Sequence, residues 1–290
     1  MSIRKPAVAG MFYPGDAASC RREVAHYLEQ VPASQISGPI LGGVVPHAGW
    51  SYSGATAAHL YAAIDPAPET VVLLGAVHRW GVDAPALYPE GAWRTPLGDC
   101  LIDSEFAETV LGQANGAVVA SREAHAGEHA IEVQIPFIQY RFPQARILPV
   151  AVPPTRPAIA AGEQIAEAIR SLNRRAVVIA SSDLTHYGPR YGMAPAGLGE
   201  KALAWAQAND QRLIDQAVAL HAAEVLRVAA ENHSACGAGA IAAAIAAAIA
   251  CAGKLGATQG QLLHHTTSHE VLPMGQPSDF VGYAAIAFLA

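Results

Sequence analysis

Four short runs carry almost no polar residue: ILGGVV at 40–45, TVVLLG at 70–75, RILPVA at 146–151 and AVVIAS at 176–181. A strand with one wet face alternates apolar and polar side chains. These runs do not alternate, so they read as strands buried on both faces. The segments 54–63, 104–113, 128–140, 157–171, 197–218 and 237–252 read as helices. Ser104 followed by Glu105 and Glu108 is a favourable helix start, since carboxylates complement the amino end of the helix dipole. Strands alternating with helices predict a three-layer α/β/α sandwich. Segment 84–102 lacks a helical period and carries Pro/Gly turns, which predicts a hairpin excursion. DFVGYAAIAFLA, at 279–290, adds a late strand. No linker, repeat or low-complexity tract divides the chain, so its 290 residues read as a single domain spanning 1–290.

Composition narrows the function classes. With 52% hydrophobic and 14% charged residues, a sizeable core can be buried. A formal charge of −6 and the lack of any long Lys/Arg cluster leave no electrostatic footprint for nucleic acid. The start, MSIRKPAVAGMFYPGD, lacks the unbroken apolar core of a signal peptide. Cys20, Cys100, Cys236 and Cys251 are too few and too scattered for a disulfide framework, so reduced thiols and a cytoplasmic location are expected. Residues 235–252, ACGAGAIAAAIAAAIACA, are uncharged but dominated by alanine. Ile241, Ile245 and Ile249 recur every four positions, which predicts one packing stripe on a buried helix rather than a membrane span.

Three of the apolar runs lead into the same kind of residue. His47 follows 40–45, His78 follows 70–75, and Asp183 and His186 follow 176–181. In open α/β sheets ligands sit beyond the carboxyl ends of the strands, so parallel neighbours would bring these loops to one patch. Any one of these histidines alone would read as a hydrogen-bonded loop residue; three placements of the same kind point to a shared site. In NHSACGAGA, Cys236 follows Ser234, read as the N-cap of the alanine-rich helix, a setting that lowers a thiol pKa. Two imidazoles and a thiolate suit iron or copper, with zinc also possible, and leave a coordination position open. Asp183 and His186 then read as a group orienting an imidazole or bound water and a proton relay.

Other candidates carry less. Glu128 and Glu132 in EHAIEV share a helix face, with His129 expected to turn away from both. His264, His265 and His269 in LLHHTTSHE read as a polar strand or exposed loop remote from the site. Trp50 and Tyr52 beside His47 could wall a pocket or pack in the core. Phe12 and Tyr13 read only as aromatics in a turn, and Cys20, Cys100 and Cys251 as buried spectators.

Taken together, AGMFYPG, PHAGWSYSGATAA, LLGAVH, WRTPLGD, EHAIEVQIPF, SSDLTHYG and ACGAGAI resemble the Memo family. The likeness is greater to its prokaryotic branch, called AmmeMemoRadiSam system protein B. The resemblance implies a LigB-like architecture, that of the class III extradiol dioxygenases, with a mixed central sheet. It also implies metal ligands at His47, His78 and Cys236, with Asp183 and His186 beside them and Tyr52 and Phe12 lining the pocket. The branch name implies association with AMMECR-type and radical-SAM proteins. The family usually reads Gly-Pro-Ser/Asn-His-His where this chain has Gly75-Ala76-Val77-His78-Arg79. Arg79 therefore replaces a second histidine, either as an anion clamp or as a solvent-facing loop residue. The dioxygenases carry a carboxylate where Cys236 stands, so ring cleavage does not transfer with the fold.

Three functions follow in order of expectation. The first is metal-dependent redox or oxygenase-like chemistry on a small substrate. The second is non-catalytic binding of a peptide or metabolite. The third is a cysteine hydrolase or transferase, with Cys236 as nucleophile, His186 as base and Asp183 as orienter.

Overall fold

All four apolar runs form strands over the expected residues. The computed structural model describes residues 2–32, 36, 38–113, 116–253 and 259–290. The first third of the chain forms β1 (Ile3–Arg4), α1 (Ala17–Glu29), β2 (Ile40–Val45), α2 (Trp50–Ala63) and β3 (Thr70–Gly75). The excursion follows as β4 (Ala86–Leu87), β5 (Ala92–Thr95) and β6 (Gly98–Leu101), and then come α3 (Ser104–Leu111) and β7 (Val119–Ala120). The middle supplies α4 (Ile135–Arg141), β8 (Arg146–Ala151), α5 (Pro157–Ser171), β9 (Ala176–Ser181) and β10 (His186–Tyr187). The last third contains α6 (Glu200–Val218), α7 (Ala222–Asn232), α8 (Ala238–Ala252), β11 (Gln259–Thr267), α9 (Ser268–Val271) and β12 (Phe280–Leu289).

The main sheet has nine strands in the order β10-β12-β2-β9-β3-β8-β4-β7, with β11 also paired to β12. At its centre β2, β9, β3 and β8 run parallel, whereas β12 is antiparallel to β2, so the sheet is mixed. Side chains alternate across it with period two. Val72 and Leu74 join the core under α5 and α8, while Val71 and Leu73 join the core under α1, α2 and α4. One strand thus feeds two cores, which is why its sequence shows no polar alternation, and the result is a three-layer α/β/α sandwich. From the excursion, the β5–β6 hairpin joins β1 in a second, three-stranded sheet in the order β1-β5-β6, while β4 pairs with β8 in the main sheet.

The alanine-rich segment is buried almost all round. Its isoleucines do not define the packing face: Ile241 and Ile245 are buried but Ile249 is 45% exposed. Close approach to α5 explains the alanines. A Cβ added at Gly162 would overlap the Ala243 carbonyl, so the two helices meet backbone to backbone. Among the described residues, no helix is long and apolar enough to cross a membrane.

Three local expectations are corrected. The helix predicted over 128–140 begins only at Ile135, after a 3-10 turn at Glu132–Gln134. The Glu128 carboxylate accepts the amide protons of His129 and Ala130, offering the backbone an alternative to helix, and Pro136 suits the first turn of the delayed start. Helix α3 does begin at Ser104, but its cap is Asp103, whose carboxylate accepts from Phe106 N at 3.3 Å. Ser234 does not cap α8: Gly237 holds that position, and the Ser234 hydroxyl is buried without a partner.

Candidate metal centre

The parallel arrangement of β2, β9 and β3 brings their following loops together. His47 stands two residues beyond β2 and is 1% exposed. Its backbone N–H donates to Asp183 Oδ1 at 2.7 Å. Its Nδ1 lies 3.2 Å from Ser181 Oγ, and that hydroxyl donates its own proton to Ala130 O at 2.6 Å. Ser181 can therefore only accept from His47, which places a proton on Nδ1 and aims Nε2 at the Cys236 sulfur, 3.3 Å away.

His78 is held in the same manner by a different partner. Its Nδ1 lies 3.0 Å from Glu128 Oε1, and its backbone N–H donates to Oε2 of the same carboxylate at 2.8 Å. Glu128 is only 2% exposed. It thus fixes both the position and the tautomer of His78, and the other ring nitrogen is left for the common point.

Cys236 arrives from the opposite side of the sheet, in the turn before α8. Its amide donates to Asp183 O at 3.3 Å, and the next amide, Gly237 N–H, donates to Ser182 Oγ at 2.9 Å. A Cβ at Gly237 would press on that serine, so glycine permits the turn to close on the end of β9. The ligating atoms of His47, His78 and Cys236 all lie within 4.8 Å of one another. A common cation fits a set of this kind: one soft sulfur and two imidazoles, each with its second nitrogen already bound by an acceptor.

The electrostatics are those of a charged cluster. Burial opposes ionisation of the Cys236 thiol, yet the His47 charge and hydrogen bonds from both imidazoles outweigh it and bring the pKa down to about 6. The cause is the imidazoles and not a capping serine. Burial likewise opposes protonation of His47, but Asp183 and Cys236 raise its pKa to about 9. For His78, hydrogen bonds to Cys236 and Glu128 overcome burial and raise it to about 10. Burial resists the Glu128 charge, but its bond from His78 holds the carboxyl well below the usual range. These opposed shifts favour a thiolate facing two imidazoliums near neutral pH.

His129 was not expected here. It does not turn away: its ring stacks on His78 at 4.8 Å and 17°, and Phe12 meets it edge-on at 5.0 Å. Burial, followed by the charges of His47 and His78, pushes its pKa down to about 4, so this third imidazole is neutral. A second group of potential ligands comprises His78, Glu128 and His129. The Glu128 oxygens, however, already accept three backbone amides as well as His78 Nδ1. It orients rather than ligates. Glu132 is also corrected, since it lies in the interior, bound to Arg4 at 2.7 Å, and takes no part in a pocket.

A cavity of about 710 Å³ opens above the centre. His47, His78, His129, Asp183 and His186 line it, and Phe12 and Tyr52 stand in its wall. Trp50 instead packs in the core and donates Nε1–H to Val133 O at 3.0 Å. His186 contacts Leu184 O through Nδ1 at 3.0 Å, and among the described residues no hydrogen bond joins it to Asp183. The LLHHTTSHE segment forms β11 and the start of α9, and His269 reaches the cavity, contrary to its expected remoteness. His264 instead stacks on His59, and His265 binds the buried Asp210 at 3.0 Å. Arg79 is exposed, with one long contact to Glu123 O at 3.5 Å. Cys20 and Cys100 are buried, whereas Cys251 is only partly so.

Comparison with known proteins identifies the family. A Memo-like protein family model matches residues 4–287. A MEMO1 family protein of Methanopyrus kandleri is 41% identical over 298 residues, covering 98% of each chain. One from Thermococcus onnurineus is 38% identical over 99% of each chain. Another, from Methanothermobacter thermautotrophicus, is 38% identical over 98% of this chain and 100% of its own. On the evidence of a family match running nearly from end to end, this chain belongs to the Memo family.

Proposed function

We propose that the chain is a metal-dependent redox or oxygenase-like protein that holds one iron or copper ion through His47, His78 and Cys236. The observation that carries this reading is the convergence of the three ligating atoms within 4.8 Å, from three loops separated in sequence. When bound, the ion supplies an open coordination position and, for iron or copper, one-electron chemistry. The chain supplies the rest. Ser181 and Glu128 orient the imidazoles, Asp183 anchors the His47 backbone, and His186 stands in the cavity wall as a group to take or give a proton. Phe12 and Tyr52 form the wall against which a small substrate rests. Association with AMMECR-type and radical-SAM proteins belongs to the same proposal and rests on the prokaryotic branch name alone.

The low thiol pKa also favours a second reading, Cys236 as a nucleophile. Its partner at 3.3 Å is His47, not His186. The sulfur does not line the cavity, whereas both imidazoles do. A ligand can sit behind them; a nucleophile must meet its substrate. The metal reading is therefore preferred. Elemental analysis of anaerobically purified protein should find about one ion per chain, lost in His47→Ala and Cys236→Ser. Undiminished metal in both variants would falsify the assignment.

A further inference from the structure

Building on the metal-floored cavity, we propose that its substrate is a small carboxylate with a flat apolar body, whose carboxylate is gripped by Arg190.

Arg190 lies on a short 3-10 turn, Pro189–Tyr191, between Gly188 at φ 122° and Gly192 at φ 70°. Its backbone N–H donates to Asp279 Oδ1 at 2.8 Å, which braces the turn. Its guanidinium has no carboxylate within ion-pair distance among the described residues. Seven of the other fourteen arginines have one, Arg4, Arg94 and Arg227 among them, so its place in the cavity and not the missing partner sets Arg190 apart. Yet Arg190 lines the cavity together with two acidic residues, Asp183 and Asp279. Both are engaged elsewhere: Asp183 Oδ1 accepts from the amides of His47 and Ala48, and Asp279 Oδ1 accepts from the Arg190 amide. The cavity therefore offers an anion an exposed guanidinium that forms no ion pair with the described carboxylates.

The lining contains no lysine and no second arginine. One planar guanidinium matches one planar carboxylate through two parallel hydrogen bonds. The remaining wall is aromatic and thioether. Phe12, Tyr52, Tyr191 and Tyr283 face the space, and Met11 and Met274, each 74% exposed, stand at its mouth. Apolar groups gathered around a polar floor and left in water mark a surface that a ligand covers. The volume suits a single small molecule.

The test titrates the full chain, metal-loaded and metal-stripped, with benzoate and with benzamide, which share a ring but differ in charge. Benzoate should saturate one site. Arg190→Gln should weaken it ~10- to 100-fold, the loss expected for a charged hydrogen bond. The same variant should move benzamide by less than ~2-fold, as for a surface change that touches no bonding group. Tyr191→Ala should weaken both probes, and Arg190→Lys should recover only part of the benzoate affinity because the fork is lost. Absence of saturable benzoate binding, or equal loss of both probes in Arg190→Gln, overturns the proposal. The two readings fail separately. A chain that binds no metal but still separates the probes through Arg190 removes the metal centre alone. A metal-loaded chain indifferent to Arg190→Gln removes the carboxylate alone.

Discussion

At the scale of single residues, an ion held as proposed by His47, His78 and Cys236 would be coupled to protons. The His47 and His78 pKa values are raised to about 9 and about 10, while that of Cys236 is lowered to about 6. At neutral pH the sulfur is therefore already a thiolate, and each imidazole carries a proton on the nitrogen that an ion needs. Binding should release about two protons per ion, because ligands coordinate in their deprotonated forms. Affinity should climb as pH rises from neutrality toward 10, where the imidazoliums lose those protons. It should fall again below about 6, as the thiolate is protonated. Calorimetry of Zn²⁺ binding in buffers of different ionisation enthalpy counts the protons directly. A buffer-independent enthalpy would mean that the histidines are neutral before the ion arrives.

At the scale of elements, strands were far more legible than turns. The residues of β2, β3, β8 and β9 could be read because burial on both faces leaves only apolar choices. His47, His78, Asp183 and His186 line one cavity, and their meeting is legible because they follow those strands. His129 was not, because its segment looks helical and only the Glu128 carboxylate, bonding to amides beside it, stops the helix forming. The signal was Gly127, at φ 73°, just ahead of a glutamate and a histidine. Helix α1 was missed for the opposite reason: only Cys20 and Val24 are buried, a stripe too thin to show among its charges. The small residues of α5 and α8 make a sharper prediction. A side chain at Gly162 would overlap the Ala243 carbonyl, and backbone cannot swing aside as a flexible side chain can. Gly162→Ala should therefore cost about 1–3 kcal/mol, although alanine is the better helix former. Urea unfolding measures this, and a stabilised variant would show that α5 and α8 are free to separate.

At the scale of the whole molecule, one buried cation ties the amino-terminal segment to the centre. Arg4 binds Glu132 at 2.7 Å, donates to the carbonyls of His125 and Glu128, and lies 4.0 Å above the Trp93 ring. Through Trp93 it reaches the smaller sheet, and through Glu128 it reaches the residue that orients His78. The same Glu132 carboxylate accepts from the amides of Ala7 and Val8 and from the Tyr13 hydroxyl, on either side of Phe12. Arg4→Met keeps much of the volume but strands a buried carboxylate without its cation, a change that costs about 3–5 kcal/mol. Replacing both partners with apolar residues often recovers such a loss, but it should not do so here. Arg4→Met combined with Glu132→Leu would leave the Val8 amide and the Tyr13 phenol unpaired in the interior, and each unmade bond costs about 1–3 kcal/mol. The double variant should thus be no more stable than the single one by urea midpoint, and both should be cleaved sooner by protease near Phe12. Recovery in the double variant would show that the ion pair is a replaceable filler. Its absence would show that Glu132 is retained to hold Phe12 against His129, at the edge of the cavity.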